Sequence, residues 1–176
     1  MERIGSKTVY EGVIADVRVD EFRHEDGSTS EREVVVHPGA VAMIAHDERV
    51  LYMVRQPREA VGEEHLLELP AGKFDVEGER PLETAKRELA EEIGLQATEW
   101  RELKQIYTSP GFSDERVSIM VATGLSDAPA DADDAERIEI VEVPLDDLDA
   151  AIDECEDAKS LVGLMLFREE RRRAAS

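Results

Sequence analysis

The chain has 176 residues, 41% of them hydrophobic, enough for one domain with a proper core and too few for two independent ones. Its 42 acidic residues stand against 21 basic ones, and the resulting charge of −21 excludes a broad basic face for nucleic acid or anionic membranes. No apolar run approaches a membrane span, the opening MERIGSKTVYEG lacks the apolar segment of a secretion signal, and a single cysteine, Cys155, permits no internal disulfide; a cytoplasmic protein is expected.

Residues 7 to 37 alternate in the manner of strands, with Val9, Val13, Val17, Val19, Val34 and Val36 among them and Asp26-Gly27 as a turn signal. An N-terminal antiparallel hairpin or meander is therefore expected over residues 1–38, followed by the main domain from 39 to 176. So small a sheet buries too little alone and needs the main domain or a second subunit to pack on. Next come two continuous apolar runs, Ala40 to Ala45 and Val50 to Val54, which fit strands covered on both faces. Leu66 to Gly72 reads as a short strand ending in a turn.

Pro81 is placed as the first residue of a helix and Gly94 as its C-terminal cap. Further strands are expected around Trp100 to Ile106, Val117 to Ala122 and Ile138 to Val143, with an acidic loop from Ser126 to Glu136. Pro144 opens a helix containing Leu145, Leu148 and Ile152, and a last helix carries Leu161, Leu164, Met165 and Phe167. Strands, one helix, strands and two helices predict an α+β fold, with a mixed β-sheet between helices.

The helix after Pro81 carries the chemistry. Leu82, Ala85, Leu89 and Ile93 form one apolar stripe, while Glu88, Glu91 and Glu92 stand at i, i+3 and i+4 on another face. Like charges at that spacing destabilise a helix unless a cation sits among them. Oxygen ligands alone point to a hard divalent metal.

With these residues goes a family resemblance. Gly72, Glu79 and the run Arg87-Glu88-Leu89-Ala90-Glu91-Glu92-Ile93-Gly94-Leu95 resemble the Nudix box, with six residues between Gly72 and Glu79 where the pattern has five. The added residue falls in the loop from Lys73 to Gly78, where an insertion costs little, and it leaves the helical acids in register. Val54-Arg55-Gln56-Pro57-Arg58 with Glu68-Leu69-Pro70-Ala71-Gly72, the loop Ser109 to Glu115 and Glu136-Arg137-Ile138-Glu139 are similar to elements of the ADP-ribose pyrophosphatases within that family. Pro110, fifteen residues after Leu95, is close to where that subfamily carries a marker proline.

The resemblance implies an α/β/α sandwich and a homodimer built through N-terminal strands. It also implies Mg²⁺, with Mn²⁺ as a possible substitute, and cleavage of ADP-ribose to AMP and ribose 5-phosphate. Carried over by position, Glu88 and Glu92 are the main metal ligands, Glu91 a further one and the Ala71 carbonyl a backbone ligand. Arg87 orients the carboxylates and Glu79 supports them. For the general base Glu136 matches best, with Glu139 next and Glu115 third; Arg58 is a diphosphate clamp and Glu115 also a substrate contact. The plainer alternative for Arg58 is a loop ion pair, and each of these acids is also one surface acid among 42.

Two other readings stay open. The same chemistry acts on another nucleoside diphosphate sugar or a dinucleotide, or the fold serves a non-catalytic nucleotide-sensing module, against which the three retained acids argue. The four histidines show no ligand spacing, and Tyr10, Phe22 and Phe112 serve packing or stacking on adenine. The acidic, lysine-poor, alanine-rich composition resembles that of proteins from salt-loving organisms, so stability is expected to rise with salt.

Overall fold

The computed structural model describes residues 1–76, 78–129 and 138–175, in two compact units. One unit takes residues 1–39 together with 107–116; the other takes 40–106 and 117–176. No helix is long and apolar enough to cross a membrane.

The first unit is a three-stranded antiparallel meander of β1 (Glu2–Tyr10), β2 (Asp16–Arg23) and β3 (Thr29–Val36). Gly27, with φ of 83°, occupies the left-handed region that the β2–β3 turn demands, as Asp26-Gly27 predicts. Residues 109–114 run beside β3: Val35 N–H donates to the Phe112 carbonyl (2.7 Å) and Asp114 N–H to the Val35 carbonyl (3.2 Å). Inside the sheet Asp20 is buried, and it accepts from Ser6 Oγ (2.6 Å), Arg18 Nε (3.0 Å) and Arg3 Nη1 (3.3 Å). Burial alone would push its carboxyl up; the bonds from Ser6 and Arg18 outweigh that and hold it below the ordinary range.

The second unit is a mixed sheet in the order β10-β5-β4-β9-β8, with β6 paired to β5 and β7 to β4. These strands are β4 (Ala40–His46), β5 (Val50–Arg58), β6 (Glu63–Glu68), β7 (Ala71–Lys73), β8 (Leu95–Tyr107), β9 (Arg116–Asp127) and β10 (Glu139–Pro144). Strands β4 and β9 run parallel, and β5 runs antiparallel to β4, β6 and β10.

Alternation along β4 explains why its run is apolar throughout. Ala40, Ala42 and Ile44 pack in one cluster with Leu148, Leu164 and Phe167, whereas Val41, Met43 and Ala45 pack in another with Ala85, Leu89 and Ile93. Helix α1 (Pro81–Ile93) thus covers one face, and α2 (Leu148–Glu154) and α3 (Ala158–Ala174) cover the other, giving the α/β/α sandwich. Two boundaries differ from expectation. Strand β8 begins at Leu95, directly after the Gly94 cap, and a 3-10 turn (Leu145–Asp147) separates Pro144 from α2.

Candidate metal and diphosphate site

Helix α1 forms where its sequence signals it. Pro81 occupies the first turn, and the Arg80 N–H donates to Glu83 Oε2 (3.0 Å). At the other end Gly94, with φ of 66°, sends its N–H to the Ala90 carbonyl and stops the helix. Burial of Ala85, Leu89 and Ile93 fixes its rotation. That rotation turns Glu88 and Glu92 toward the strand β7 and Arg87 toward the loop behind it.

Arg87 is the hub of the acids. Its Nη1 lies 2.8 Å from both Glu88 Oε1 and Glu91 Oε2, and its Nη2 lies 3.0 Å from Asp75 Oδ1 and 3.3 Å from Glu79 Oε2. Glu79 also accepts from the hydroxyl of the buried Thr84 (2.9 Å), which fixes the acid despite the added residue upstream. Burial disfavours the Arg87 charge, yet Glu79, Glu88 and Glu91 raise its pKa above the ordinary arginine value.

Glu88 shows the reverse imbalance. Burial pushes its carboxyl above the ordinary value and Arg87 offsets this only in part, with Glu91 and Asp75 adding repulsion. It is also seated directly over Gly72, where a Cβ would lie 2.0 Å from Glu88 Cδ and 2.1 Å from Cγ. Only glycine leaves that seat open. Glu92 faces the same strand from one turn further along, and its Oε2 accepts from the Ala71 N–H (2.9 Å).

These donors fit a hard divalent cation: four carboxylates crowd one guanidinium, one of them is desolvated beyond what that cation offsets, and Ala71 and Gly72 hold backbone against the same helix face. Among the described residues no three His, Cys, Asp or Glu side chains are grouped so that they could hold a metal ion by themselves. An open set of acids suits Mg²⁺, which keeps waters and shares substrate phosphates.

The remaining expected residues are spread more widely. Arg58 Nε and Nη2 form a fork on Glu68 (2.6 and 2.9 Å), so two of its nitrogens face a buried carboxylate. Lys159 Nζ reaches the same carboxylate (2.6 Å) and Asp157 Oδ2 (2.9 Å). Burial would push Glu68 up, but Arg58 and Lys159 together hold it below the ordinary value. Glu139 is exposed at the start of β10, opposite Arg55, on a groove of about 740 Å³ that Pro57, His65 and Ile138 also line. Glu136 lies outside the described residues. In the other unit Glu115 accepts from Thr108 Oγ1 (2.5 Å) and its Oε1 lies 3.5 Å from His37 Nδ1.

Asp75, Thr84, Lys159 and Ser160 were not singled out from sequence. Only Asp157, three residues before Ser160 at a helix start, carried a legible capping signal. The others are brought in by tertiary contact.

A family model for the NUDIX domain matches residues 36–162. The chain belongs to the Nudix family. Residues 1–35 match a second model, the nucleoside diphosphate sugar hydrolase N-terminal domain. An ADP-ribose pyrophosphatase of Mycobacterium tuberculosis is 50% identical over 125 residues, 70% of this chain and 60% of that protein. One of Bacillus subtilis is 40% identical over 147 residues, 82% of this chain and 78% of that protein. A solved ADP compounds hydrolase superposes with a TM-score of 0.85 over 98% of this chain and 95% of its own, at 24% identity, and so shares the Nudix fold.

Proposed function

We propose that the protein is a Mg²⁺-dependent hydrolase of the diphosphate in ADP-ribose, releasing AMP and ribose 5-phosphate. The observation that carries this reading is the seat of Glu88 on Gly72, which joins the desolvated acid of α1 to the backbone of β7 beside Glu92 and Ala71. The identity to two ADP-ribose pyrophosphatases supports the choice of substrate.

When bound, the metal supplies positive charge to the diphosphate and acidifies water. Glu88 and Glu92, with Glu91 and the Ala71 carbonyl, would hold it. Arg87 orients the carboxylates, a role supported by its four ion pairs. A water oxygen adds to one phosphorus, the bridging P–O bond breaks, and a carboxylate takes the water's proton. Glu136, Glu139 and Glu115 are the candidates for that base, and Glu139, exposed on its groove, is the one the described residues favour over Glu115, already bonded to Thr108. Arg58 can offer Nη1 to a phosphate while its other two nitrogens stay on Glu68.

The protein is further proposed to be a homodimer through residues 1–38, supported by the exposed apolar side chains of Val9, Tyr10, Val13 and Ile14. The proposed compartment is the cytoplasm, in keeping with one buried free cysteine, Cys155.

The test is product analysis of ADP-ribose with Mg²⁺, in competition with other nucleoside diphosphate sugars and dinucleotides. AMP and ribose 5-phosphate formed in preference to other products support the reading. Preference for a competitor transfers the chemistry to that substrate, and tight binding without cleavage indicates a sensor.

A further inference from the structure

Between β6, which ends at Glu68, and β7, which begins at Ala71, the chain leaves the sheet ladder for two residues. These two residues lead straight into the backbone that faces α1. Their polar groups are held from three directions. The Leu69 N–H donates to Ser160 Oγ on α3 (2.8 Å), the Pro70 carbonyl accepts from Met43 N–H on β4 (2.8 Å), and the Ala71 N–H donates to Glu92 on α1 (2.9 Å). Proline has no N–H of its own to add.

Ser160 is fully buried and is itself fixed: its hydroxyl donates to Asp157 Oδ2 (2.6 Å), the oxygen that also caps α3 through Ser160 N–H (3.0 Å). The hydroxyl proton therefore points at Asp157, and the oxygen's lone pair is left for Leu69. The side chain of Leu69 is set by the same helix. At Gly163, one turn along α3, a Cβ would come within 2.8 Å of Leu69 Cδ1, so the missing side chain is what lets the helix approach. Neither residue lies near enough in sequence to the α1 acids to be tied to them except through this contact.

Resting on the metal-dependent reading above, we propose that Ser160, oriented by Asp157, is a positioning residue for the metal-binding strand. It holds the Leu69 N–H so that Ala71 and Gly72 present their backbone to Glu92 and Glu88. α3 thus controls the site from the opposite face of the sheet. Loss of the oxygen would leave a buried N–H unsatisfied and free the strand to shift.

Ser160→Ala is expected to weaken Mn²⁺ binding, read by electron paramagnetic resonance, about tenfold, the usual cost of losing a group that orients a metal ligand. Amide hydrogen exchange at Leu69 and Ala71 in the metal-free protein should speed up. Ser160→Thr, which keeps the oxygen, should restore both. Leu148→Ala, a core change at a distance, serves as the control for stability: it should lower the melting temperature without changing Mn²⁺ affinity. Should Ser160→Ala fail to fold, Asp157→Ser, which still caps α3 but withdraws the carboxylate from Ser160, is read in the same way. Unchanged Mn²⁺ affinity in a folded variant overturns the proposal. Wild-type protein that binds Mn²⁺ but leaves ADP-ribose intact would refute the proposed reaction, while the affinity ratio still decides the role of Ser160.

Discussion

Two clusters of charge in this molecule have the same ingredients in opposite proportions. At Arg87 one cation gathers Asp75, Glu79, Glu88 and Glu91, whereas at Glu68 two cations, Arg58 and Lys159, converge on one buried carboxylate, with Asp157 alongside. The consequences are opposite in sign. Glu88 is held above the ordinary carboxylate range and Glu68 below it. The Glu68 cluster is electrostatically complete and acts as framework. The Arg87 cluster is short of positive charge, and a shortage at a backbone seat reserved by glycine is what a divalent cation can fill.

The largest expected effect comes from Glu92, which stands one turn beyond Glu88 beside the incomplete cluster. Glu92→Gln should lower turnover of ADP-ribose about a thousandfold, several kcal/mol of barrier, while circular dichroism shows the fold intact. Near-wild-type turnover would remove Glu92 from the metal. Breaking the complete cluster should instead destabilise the fold. Glu68→Ala takes the buried carboxylate from Arg58 and leaves Lys159 only Asp157, and it is expected to cost about 3 kcal/mol of stability by chemical denaturation, toward the low end for a broken buried pair because Arg58 stays partly exposed.

Gly72→Ala sharpens the contrast further. The new Cβ would displace Glu88, whose flexible side chain can swing away, so metal affinity should fall about a hundredfold with little change in melting temperature. A smaller effect follows from acid. Burial opposes ionisation of Glu68 and Asp157, but Arg58 and Lys159 depress the pKa of Glu68 and Lys159 and Ser160 that of Asp157, so their stabilisation is present above the ordinary carboxylate range and lost as pH falls through the folded values. Melting temperature should therefore drop as pH falls below about 4, and Glu68→Gln should flatten that slope. Least in size per charge, the excess of acids should make the melting temperature rise from low to molar KCl. A melt insensitive to salt would remove the inference drawn from composition.

What could be read from sequence was whatever local chemistry dictates. Pro81, Gly94 and the stripe of Ala85, Leu89 and Ile93 fix α1 and the side on which its acids stand, and the continuous apolar run of β4 announces a strand covered on both faces. Which acids share a cation was not legible. Asp75 reaches Arg87 from twelve residues away and Lys159 reaches Glu68 from ninety-one, and no periodicity records such pairs. Arg58 illustrates the limit: its type suits phosphate and carboxylate alike, and only the fold shows Glu68 already in its fork. The grouping of residues 107–116 with the N-terminal strands is another product of tertiary structure, made by backbone bonds between Val35 and the loop at Phe112 and Asp114.

The direct measurement is the binding of Mn²⁺, counted per chain at equilibrium, to the wild type and to a Glu88→Gln, Glu92→Gln double variant. Saturable binding to the folded wild type that disappears in the folded double variant is the predicted result. Equal binding by both proteins would contradict the assignment of the cation to the Arg87 cluster.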